Sequence, residues 1–181
     1  MNRKVREFPF YATRLQEIDW RTILQTGQPW TDPHFKPQVS SIIDEDMTRN
    51  RRIQAWSTLV WRRPRDVYGE NNYTVFRNIG PNDIIQGKCG DCYFLSTLSS
   101  FAETPARIKK IFLNTEVNEA GIYAVSLYVN GEKRTVVVDD HFPYDTNTDR
   151  WAMCRPSRDD GVQEIWPLIL EKAWAKVFGS Y

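Results

Sequence analysis

Histidine and cysteine are scarce in this 181-residue sequence. It has two histidines, His34 and His141, and three cysteines, Cys89, Cys92 and Cys154. A small, odd number of cysteines does not make a disulfide framework, so we expect free thiols and a reducing compartment. A zinc site would need a second ligand pair beside Cys89 and Cys92, which one cysteine and two scattered histidines do not supply. These shortages argue against a disulfide-stabilised secreted module and against a zinc protein.

Long apolar runs and an excess of one charge are also missing. Charges are scattered through the first twenty residues, MNRKVREFPFYATRLQEIDW, and nothing later approaches membrane-spanning length. Twenty-four basic against 23 acidic residues leave a formal charge of +1, which implies neither a nucleic-acid nor a membrane-surface partner. With 41% hydrophobic residues the chain can bury a core. We therefore expect a soluble, cytoplasmic globular protein without a membrane span.

The spacing of apolar residues predicts an α+β fold. After Cys92, apolar residues recur at three- and four-residue steps, which predicts a central helix buried through Phe94, Leu95, Leu98, Phe101 and Ala102. Two runs rich in β-branched and aromatic residues, GIYAVSLYV and KRTVVVDDHF, flank Asn130-Gly131. This pattern predicts an antiparallel hairpin.

Other elements are predicted on either side of these two. The stretch EIWPLILEKAWAKVFG predicts a second core helix, with Pro167 in its first turn and Gly179 as its stop. A short strand should end at Pro64, and a short helix should run from Pro105 through Ile111. The proline-broken first part of the chain looks like an arm that packs on a domain.

Cys92 lies where a helix is expected to begin. Gly90 supplies a flexible entry, and Asp91 supplies a carboxylate that could cap the helix. Unpaired backbone N–H groups and the helix dipole would favour a thiolate at Cys92. The Cys92 N–H and the side-chain amide of Gln86 could then donate to an oxyanion. These positions suggest a cysteine nucleophile with its oxyanion hole.

Other interpretations of this stretch stay open from the residues alone. A cysteine at the start of a buried helix is most often a small apolar residue. A redox C-x-x-C would need a preceding strand of a βαβ unit, whereas the segment before Cys89 is loop-like. The sequence CGDCY matches the papain-type signature C-G-[SA]-C-[WY] except at Asp91.

Taken as a whole, the chain resembles the calpain family of calcium-dependent cysteine proteases. QGKCGDCYFLSTLSSFAE is similar to that family's Q-G-x-L-G-D-C-W signature, and EIWPLILEKAWAKVFGSY is similar to F-W-x-x-L-L-E-K-A-Y-A-K-x-x-G-x-Y. VWRRP, VVVDDHFPYD and WTDPHFKPQVSSI are further matches in family order, over about residues 30 to 181. Cys89, Tyr93 and Asn78 differ from the family's usual apolar residue, tryptophan and glycine.

The resemblance implies a catalytic role for two residues. Cys92 would be the nucleophile, and Gln86 would supply the oxyanion-hole side chain. A cysteine protease also needs a histidine base that is oriented by an asparagine. His34 lies in the arm and His141 follows a strand at a position the family does not use, so each is interpreted as a surface or edge residue. In papain-type spacing the catalytic pair comes about 130 to 150 residues after the cysteine, beyond residue 181.

The resemblance also implies a calcium site. Asp83 and Glu164 would be its carboxylates, and the main-chain carbonyls of Phe76 and Asn78 would complete the ligand set. Calcium prefers such hard oxygen ligands. From the residues alone, Asp83 would be a turn or cap residue, and Glu164 a first-turn carboxylate favoured by the helix dipole.

We therefore expect the N-terminal, nucleophile-bearing half of a papain-like protease core. Residues 1–30 would be an arm, and residues 31–181 the first subdomain, with the histidine and asparagine on a second subdomain that is its partner. The expected function is calcium-dependent endopeptidase activity on protein substrates, with the isolated chain inactive. One alternative is a catalytically inactive calpain-like interaction or regulatory protein. Another is a papain-type hydrolase outside the calpains, which VVVDD and LEKAWAK disfavour.

Overall fold

The computed structural model describes residues 15–43, 56–156 and 161–181. Within these ranges the chain forms five α-helices: α1 Trp20–Thr26, α2 Pro64–Tyr68, α3 Cys92–Ala102, α4 Pro105–Lys109 and α5 Trp166–Phe178. The strands are β1 Val60–Arg62, β2 Tyr73–Thr74, β3 Ile84–Ile85, β4 Ile122–Val129, β5 Glu132–Asp139, β6 Phe142–Asp145, β7 Arg150–Trp151, β8 Arg155–Pro156 and β9 Gln163–Glu164. The fold is mixed α and β, and no helix in the described ranges is long and apolar enough to cross a membrane.

The predicted hairpin is confirmed. Strands β4 and β5 pair antiparallel from Ile122 opposite Asp139 to Val129 opposite Glu132. Asn130 and Gly131 form the turn with φ angles of 53° and 81°. Positive φ at both central residues defines the turn whose twist matches that of paired strands, and Asn-Gly adopts it readily. The two-residue turn thus sets the register of the longest strand pair.

The remaining strands are short and join distant parts of the chain. Strands β1, β6 and β7 form an antiparallel three-stranded sheet. Strand β2 pairs parallel with β9, and β3 pairs antiparallel with β8. The last two pairs hold both ends of the segment that precedes α3, so that segment is fixed although little of it is regular structure.

Helices α3 and α5 pack against each other in the main core. The ring of Phe94 stacks on that of Trp174 with centroids 4.8 Å apart. The buried residues of α3 are Phe94, Leu95, Leu98 and Ala102, as predicted. Phe101 is instead 41% exposed. At about 100° per residue it falls at the edge of the buried stripe, in the last turn of the helix.

Helix α5 follows the prediction at both ends. It begins at Trp166, has Pro167 in its first turn and ends at Gly179, whose φ of 97° is left-handed. Strand β1 stops just before Pro64, as expected, but Pro64 also begins α2, which was not predicted. The described part of the predicted arm includes α1, whose Trp20 packs against the hairpin. Residues 1–14 lie outside the described ranges.

A set of buried charges ties the Asp32 segment to the hairpin and α5. Lys176 Nζ donates to Asp32 Oδ2 and to the carbonyl of Val137, both at 2.6 Å. Lys172 Nζ donates to Asp139 Oδ1 at 2.5 Å. The N–H of Asp32 donates to Asp139 Oδ2 at 2.7 Å, which connects the two ion pairs. Interior lysines are tolerated here because each has a carboxylate partner.

His141 and Arg63 extend this network. Arg63 Nη1 pairs with Asp140 Oδ1 at 2.5 Å, and its Nε donates to His141 Nε2 at 3.2 Å. His141 Nδ1 lies 3.2 Å from Asp139 Oδ1, and the histidine side chain is only 20% exposed. His141 was interpreted as a surface or edge residue, and it is a partly exposed residue between β5 and β6 whose ring also contacts the buried charges.

Candidate active site

Cys92 is the first residue of α3, as predicted. Asp91 is the N-cap residue, and its carbonyl accepts hydrogen bonds from the N–H groups of Phe94 and Leu95 at 2.8 and 3.1 Å. The Cys92 side chain is exposed. Its own N–H is among the first four of the helix, which have no intrahelical acceptor. An exposed thiol and unpaired N–H groups therefore lie together at the positive end of α3.

The loop before Cys92 is held by a close backbone approach at Gly87. A Cβ atom at this position would lie 1.6 Å from the carbonyl oxygen of Met153, so only glycine fits. The next residue, Lys88, donates its N–H to the carbonyl of Ala152 at 2.8 Å, and its Nζ pairs with Asp145. The loop entering α3 is thus anchored to the end of β6 and to the residues that follow β7.

Gln86 lies at the start of this loop. Its side-chain Nε2 donates to the backbone carbonyl of Cys89 at 3.2 Å. The backbone carbonyl of Gln86 accepts from Arg155 Nη2 at 3.1 Å. A side-chain amide nitrogen carries two hydrogens, so one remains after the contact with Cys89. The oxyanion-hole role of Gln86 stays a prediction.

Asp91 does not cap α3 with its carboxylate, so that expectation is wrong. The side chain makes no capping hydrogen bond and is buried beneath the first turn. There it contacts the carboxyl of Glu171, on α5. Burial raises the pKa of both groups. The pKa of Glu171, which is only 2% exposed, lies well above its ordinary value. Both Glu171 oxygens accept from the N–H of Cys154, at 2.8 and 2.9 Å.

The three cysteines are free thiols, as expected, but their surroundings differ. Cys92 is exposed, Cys89 is half-buried and Cys154 is fully buried. Burial is the main cause that raises the pKa of Cys89 and of Cys154, and the nearby carboxylates act in the same direction. A thiol held protonated is a poor nucleophile, so geometry favours Cys92 as the reactive cysteine.

An aromatic surface adjoins Cys92. Tyr93 is 58% exposed, and its hydroxyl accepts from Trp174 Nε1 at 3.0 Å. Trp174 in turn stacks on Phe94. The hydrogen bond and the stacking link the first turn of α3 to the middle of α5.

Three of the predicted calcium ligands, Phe76, Asn78 and Asp83, lie between β2 and β3, and the fourth, Glu164, lies on β9. The N–H of Asn78 donates to Glu164 Oε1 at 2.5 Å, and the N–H of Gly80 donates to Asp83 Oδ2 at 2.6 Å. Glu164 Oε2 is buried without a hydrogen-bond partner. Asp83 ends a short 3-10 turn, Pro81–Asp83, which also agrees with a turn role. In the part of the chain that the structure describes, no three Asp, Glu, His or Cys side chains cluster as metal ligands.

Neither histidine is bonded to the candidate nucleophile. His34 is exposed, and its backbone N–H donates to Asp32 Oδ1 at 2.9 Å. His141 belongs to the buried charge network. Over residues 15–43, 56–156 and 161–181, no hydrogen bond or ion pair joins either histidine to Cys92. The described chain thus holds a thiol without an adjacent base.

The sequence did not predict the contact between Asp91 and Glu171 or the two buried lysine pairs. A signal existed for each. Glu171 lies within the apolar stretch of the second predicted helix, and Lys172 and Lys176 are one turn apart in the same stretch. Charged residues on an otherwise buried helix are almost always paired.

Comparison with known proteins adds to this geometry. The family model "Calpain family cysteine protease" matches residues 30–181. Calpain-13 of Rattus norvegicus is 34% identical over 160 residues, which cover 87% of this chain and 23% of that protein. Calpain-type cysteine protease ADL1 of Oryza sativa subsp. japonica is 35% identical over 158 residues, 84% of this chain and 7% of that protein. The Calpain-2 catalytic subunit of Rattus norvegicus is 29% identical over 181 residues, 94% of this chain and 24% of that protein. The chain spans less than a quarter of these relatives' length.

Proposed function

The chain belongs to the calpain family of cysteine proteases, and from this premise we propose that it is the nucleophile-bearing subdomain of a papain-like endopeptidase core acting on protein substrates. The observation that supports this best is the exposed thiol of Cys92 on the first residue of α3. It combines an accessible sulfur with the unpaired N–H groups and the positive dipole of a helix end. The other two thiols lack that combination.

Cys92 would act by acyl-thioester chemistry. The thiolate attacks the carbonyl carbon of a peptide bond and forms a C–S bond, while the carbonyl oxygen gains the negative charge. The Cys92 N–H and the free hydrogen of the Gln86 amide donate to that oxyanion. Collapse breaks the C–N bond, and the amine leaves with the proton that the base had taken from the Cys92 thiol. Water then hydrolyses the thioester and releases Cys92.

The base would come from a second subdomain. A histidine oriented by an asparagine is the usual partner of a cysteine nucleophile. His141 is an unsuitable substitute because its Nε2 already accepts from Arg63 and its Nδ1 faces Asp139. The exposed ring of Tyr93, beside Cys92, is well placed to pack against that second subdomain. Free thiols suit a reducing compartment, so we expect the protein in the cytoplasm.

The predicted calcium ligands between β2 and β3 and on β9 supply oxygen atoms of the kind that calcium binds. Glu164 Oε2 is a buried oxygen that lacks a partner, as expected of an atom awaiting a cation. Asp83 would supply the second carboxylate, and the carbonyls of Phe76 and Asn78 would complete the set. Bound calcium would supply charge compensation and hold the loop before β3 to β9. The loop already bonds to Glu164 through the Asn78 N–H, so the ion would reinforce an existing contact.

Calcium binding can be tested by thermal unfolding of the chain with and without calcium. At a calcium concentration of about 100 times Kd, binding should add about 2.7 kcal/mol and raise Tm by roughly 5–10 °C. Glu164→Gln should abolish the shift, whereas Glu116→Gln, a change at an exposed carboxylate, should retain it. An equal shift in wild type and Glu164→Gln would remove Glu164 from the site.

Proteolysis can be tested with casein as substrate. We expect no turnover by the isolated 181-residue chain, with or without calcium, because no described group can take the thiol proton. A fusion to the protease-core segment that follows the matched region in rat Calpain-13 should cleave casein, and its Cys92→Ser form should not. Turnover by the isolated chain, or turnover by the Cys92→Ser fusion, would refute the proposal. Reading the gene past codon 181 for a downstream histidine and asparagine would distinguish a protease from a calpain-like regulatory protein.

A further inference from the structure

Two buried carboxyl groups meet directly beneath the nucleophile. Asp91 is the N-cap residue of α3 and is 8% exposed, while Glu171, on α5, is 2% exposed. Their side chains are in hydrogen-bonding contact. The backbone of Asp91 is also the acceptor that begins α3, through Phe94 and Leu95. The contact therefore connects the residue before Cys92 to the second core helix.

The donors described for this pair are the N–H groups of Cys154 and Asp91 and the thiol of Cys89, and one carboxylate oxygen remains without any of them. Glu171 receives the N–H of Cys154 at both of its oxygens. Asp91 Oδ1 is buried, and no described group donates to it. An ionised carboxylate can only accept, so two of them in contact repel unless one carries a proton. One proton on Glu171, directed at Asp91, removes the repulsion between the two groups.

The surroundings supply no neutralising cation. Over the described ranges, neither Asp91 nor Glu171 forms an ion pair. The titratable groups that face the pair are Cys89, Cys154 and Tyr181, whose pKa values burial raises, so all three are neutral at pH 7. Arg155 acts on the Cys154 thiol electrostatically, and its Nη2 donates to the backbone carbonyl of Gln86.

We propose that Asp91 and Glu171 share one proton, and that this protonated pair positions the first turn of α3, and with it Cys92, on α5. The two residues are positioning residues: they do not contact substrate, and their importance for catalysis rests on the proposed role of Cys92. Because Glu171 also binds the Cys154 N–H, the same contact joins the loop around Cys154 to the start of α3, where Cys92 lies. The bond exists only while the proton remains.

The shared proton can be tested by the pH dependence of unfolding. Glutamine at position 171 imitates a protonated glutamate, because it can accept from the Cys154 N–H and donate to Asp91. A carboxyl whose folded pKa is raised stabilises the fold fully below its unfolded value, here 4.5, and loses that contribution as pH rises toward the folded value. The folding equilibrium constant of Glu171→Gln, relative to wild type, should therefore rise about tenfold per pH unit above that pH.

The matched control is Glu103→Gln, at an exposed glutamate just past the end of α3. The folding equilibrium constant of Glu103→Gln, relative to wild type, should not change over the same pH range. A flat ratio for Glu171→Gln between pH 5 and 8 would overturn the shared proton, because wild type would then already have both groups ionised in the folded and unfolded chain.

The positioning role can be tested by the rate at which iodoacetamide alkylates Cys92. In Glu171→Gln the alkylation rate of Cys92 at pH 7 should lie within about twofold of the wild-type rate, since the hydrogen bond to Asp91 is kept. Glu171→Leu, which is apolar, should lower the rate at least fivefold while circular dichroism still shows a folded chain. If Glu171→Leu does not fold, Asp91→Ala takes its place, because it removes the other end of the same bond. Unchanged alkylation in the folded apolar variant would overturn the positioning role.

Both readouts are independent of proteolysis. Unfolding and alkylation are measured on the chain itself, without substrate, calcium or a second subdomain. A protein that never cleaves casein could still show the tenfold slope, and a protease could lack it. The failure of this inference and the failure of the proposed function are therefore distinguishable.

Discussion

Replacing Lys176 by methionine should destabilise the chain strongly. Lys176 Nζ lies 2.6 Å from Asp32 Oδ2 and 2.6 Å from the Val137 carbonyl, and Asp32 is fully buried. Methionine keeps most of the apolar stem but leaves a carboxylate and a carbonyl without a cation. Removing one partner of a buried pair costs about 3–5 kcal/mol. We expect the lower half of that range, because Asp32 Oδ1 still accepts from the N–H groups of His34 and Phe35.

The assay is urea denaturation followed by tryptophan fluorescence at pH 7. A loss of about 3–4 kcal/mol is a large part of the 5–15 kcal/mol typical of a domain, so the midpoint should fall markedly. Lys133→Met, at an exposed position on β5, is the matched control and should change the free energy of unfolding by less than about 0.5 kcal/mol.

The pair, rather than the lysine alone, is tested by a double variant. Asp32→Asn removes the charge that Lys176→Met strands, so the combined variant should be more stable than Lys176→Met by about 1–2 kcal/mol. A cost below about 1 kcal/mol for Lys176→Met, or no recovery in the double variant, would refute the reasoning that Asp32 is a buried anion held by Lys176.

Three further predictions concern the site and its surroundings. Iodoacetamide should alkylate Cys92 at least tenfold faster than the two less exposed cysteines, as peptide mass spectrometry would show, and equal labelling of the native chain would contradict this. Gly87→Ala should unfold the loop before α3 and cost more than about 2 kcal/mol, since its Cβ would overlap the Met153 carbonyl, whereas Gly90→Ala, where a Cβ meets open space, should be tolerated. Burial raises the pKa of Asp140 to about 6 from 3.8, so stability from this group is complete below pH 3.8 and is lost as pH rises through 6. The stability of Asp140→Asn relative to wild type should therefore rise by roughly 2–3 kcal/mol between pH 4 and 7, and a constant difference would contradict it.

The regular elements near the site could be predicted because they depend on local rules. Asn130-Gly131 sets the hairpin through positive φ angles, and Gly179 ends α5 for the same reason. Cys92 could be placed at the start of a helix because the apolar period begins just after it. These signals lie within a few residues of the features they specify.

The short strands could not be predicted, since their pairing is not local. Strands β2, β3, β8 and β9 have two residues each, too few for a period, and each pairs with a partner far along the chain. The prediction that the Asp91 carboxylate caps α3 was wrong for a related reason. A capping role depends on the helix end alone, whereas the observed contact depends on where α5 brings Glu171.

The calpain resemblance succeeded where periodicity could not. Motifs spread over residues 30–181 indicated the family, which the family model confirms over the same residues. The assignment of Gln86 and of the calcium ligands rests on those motifs and stays a prediction. The ion pairs of the buried Lys172 and Lys176 were not predicted, because the helical stretch was interpreted from its apolar face alone.

The parallel pairing of Thr74 with Glu164 has a consequence for protein synthesis. A ribosome makes Cys92 long before Glu164, and the strand that secures the preceding loop does not exist until then. The hairpin can form within about 1–10 μs of its own emergence, but closure of this much longer loop must wait. An unfinished polypeptide therefore carries the Cys92 sulfur on a segment that β9 does not yet hold, and the β2 end of that segment is secured only after most of this chain has been translated.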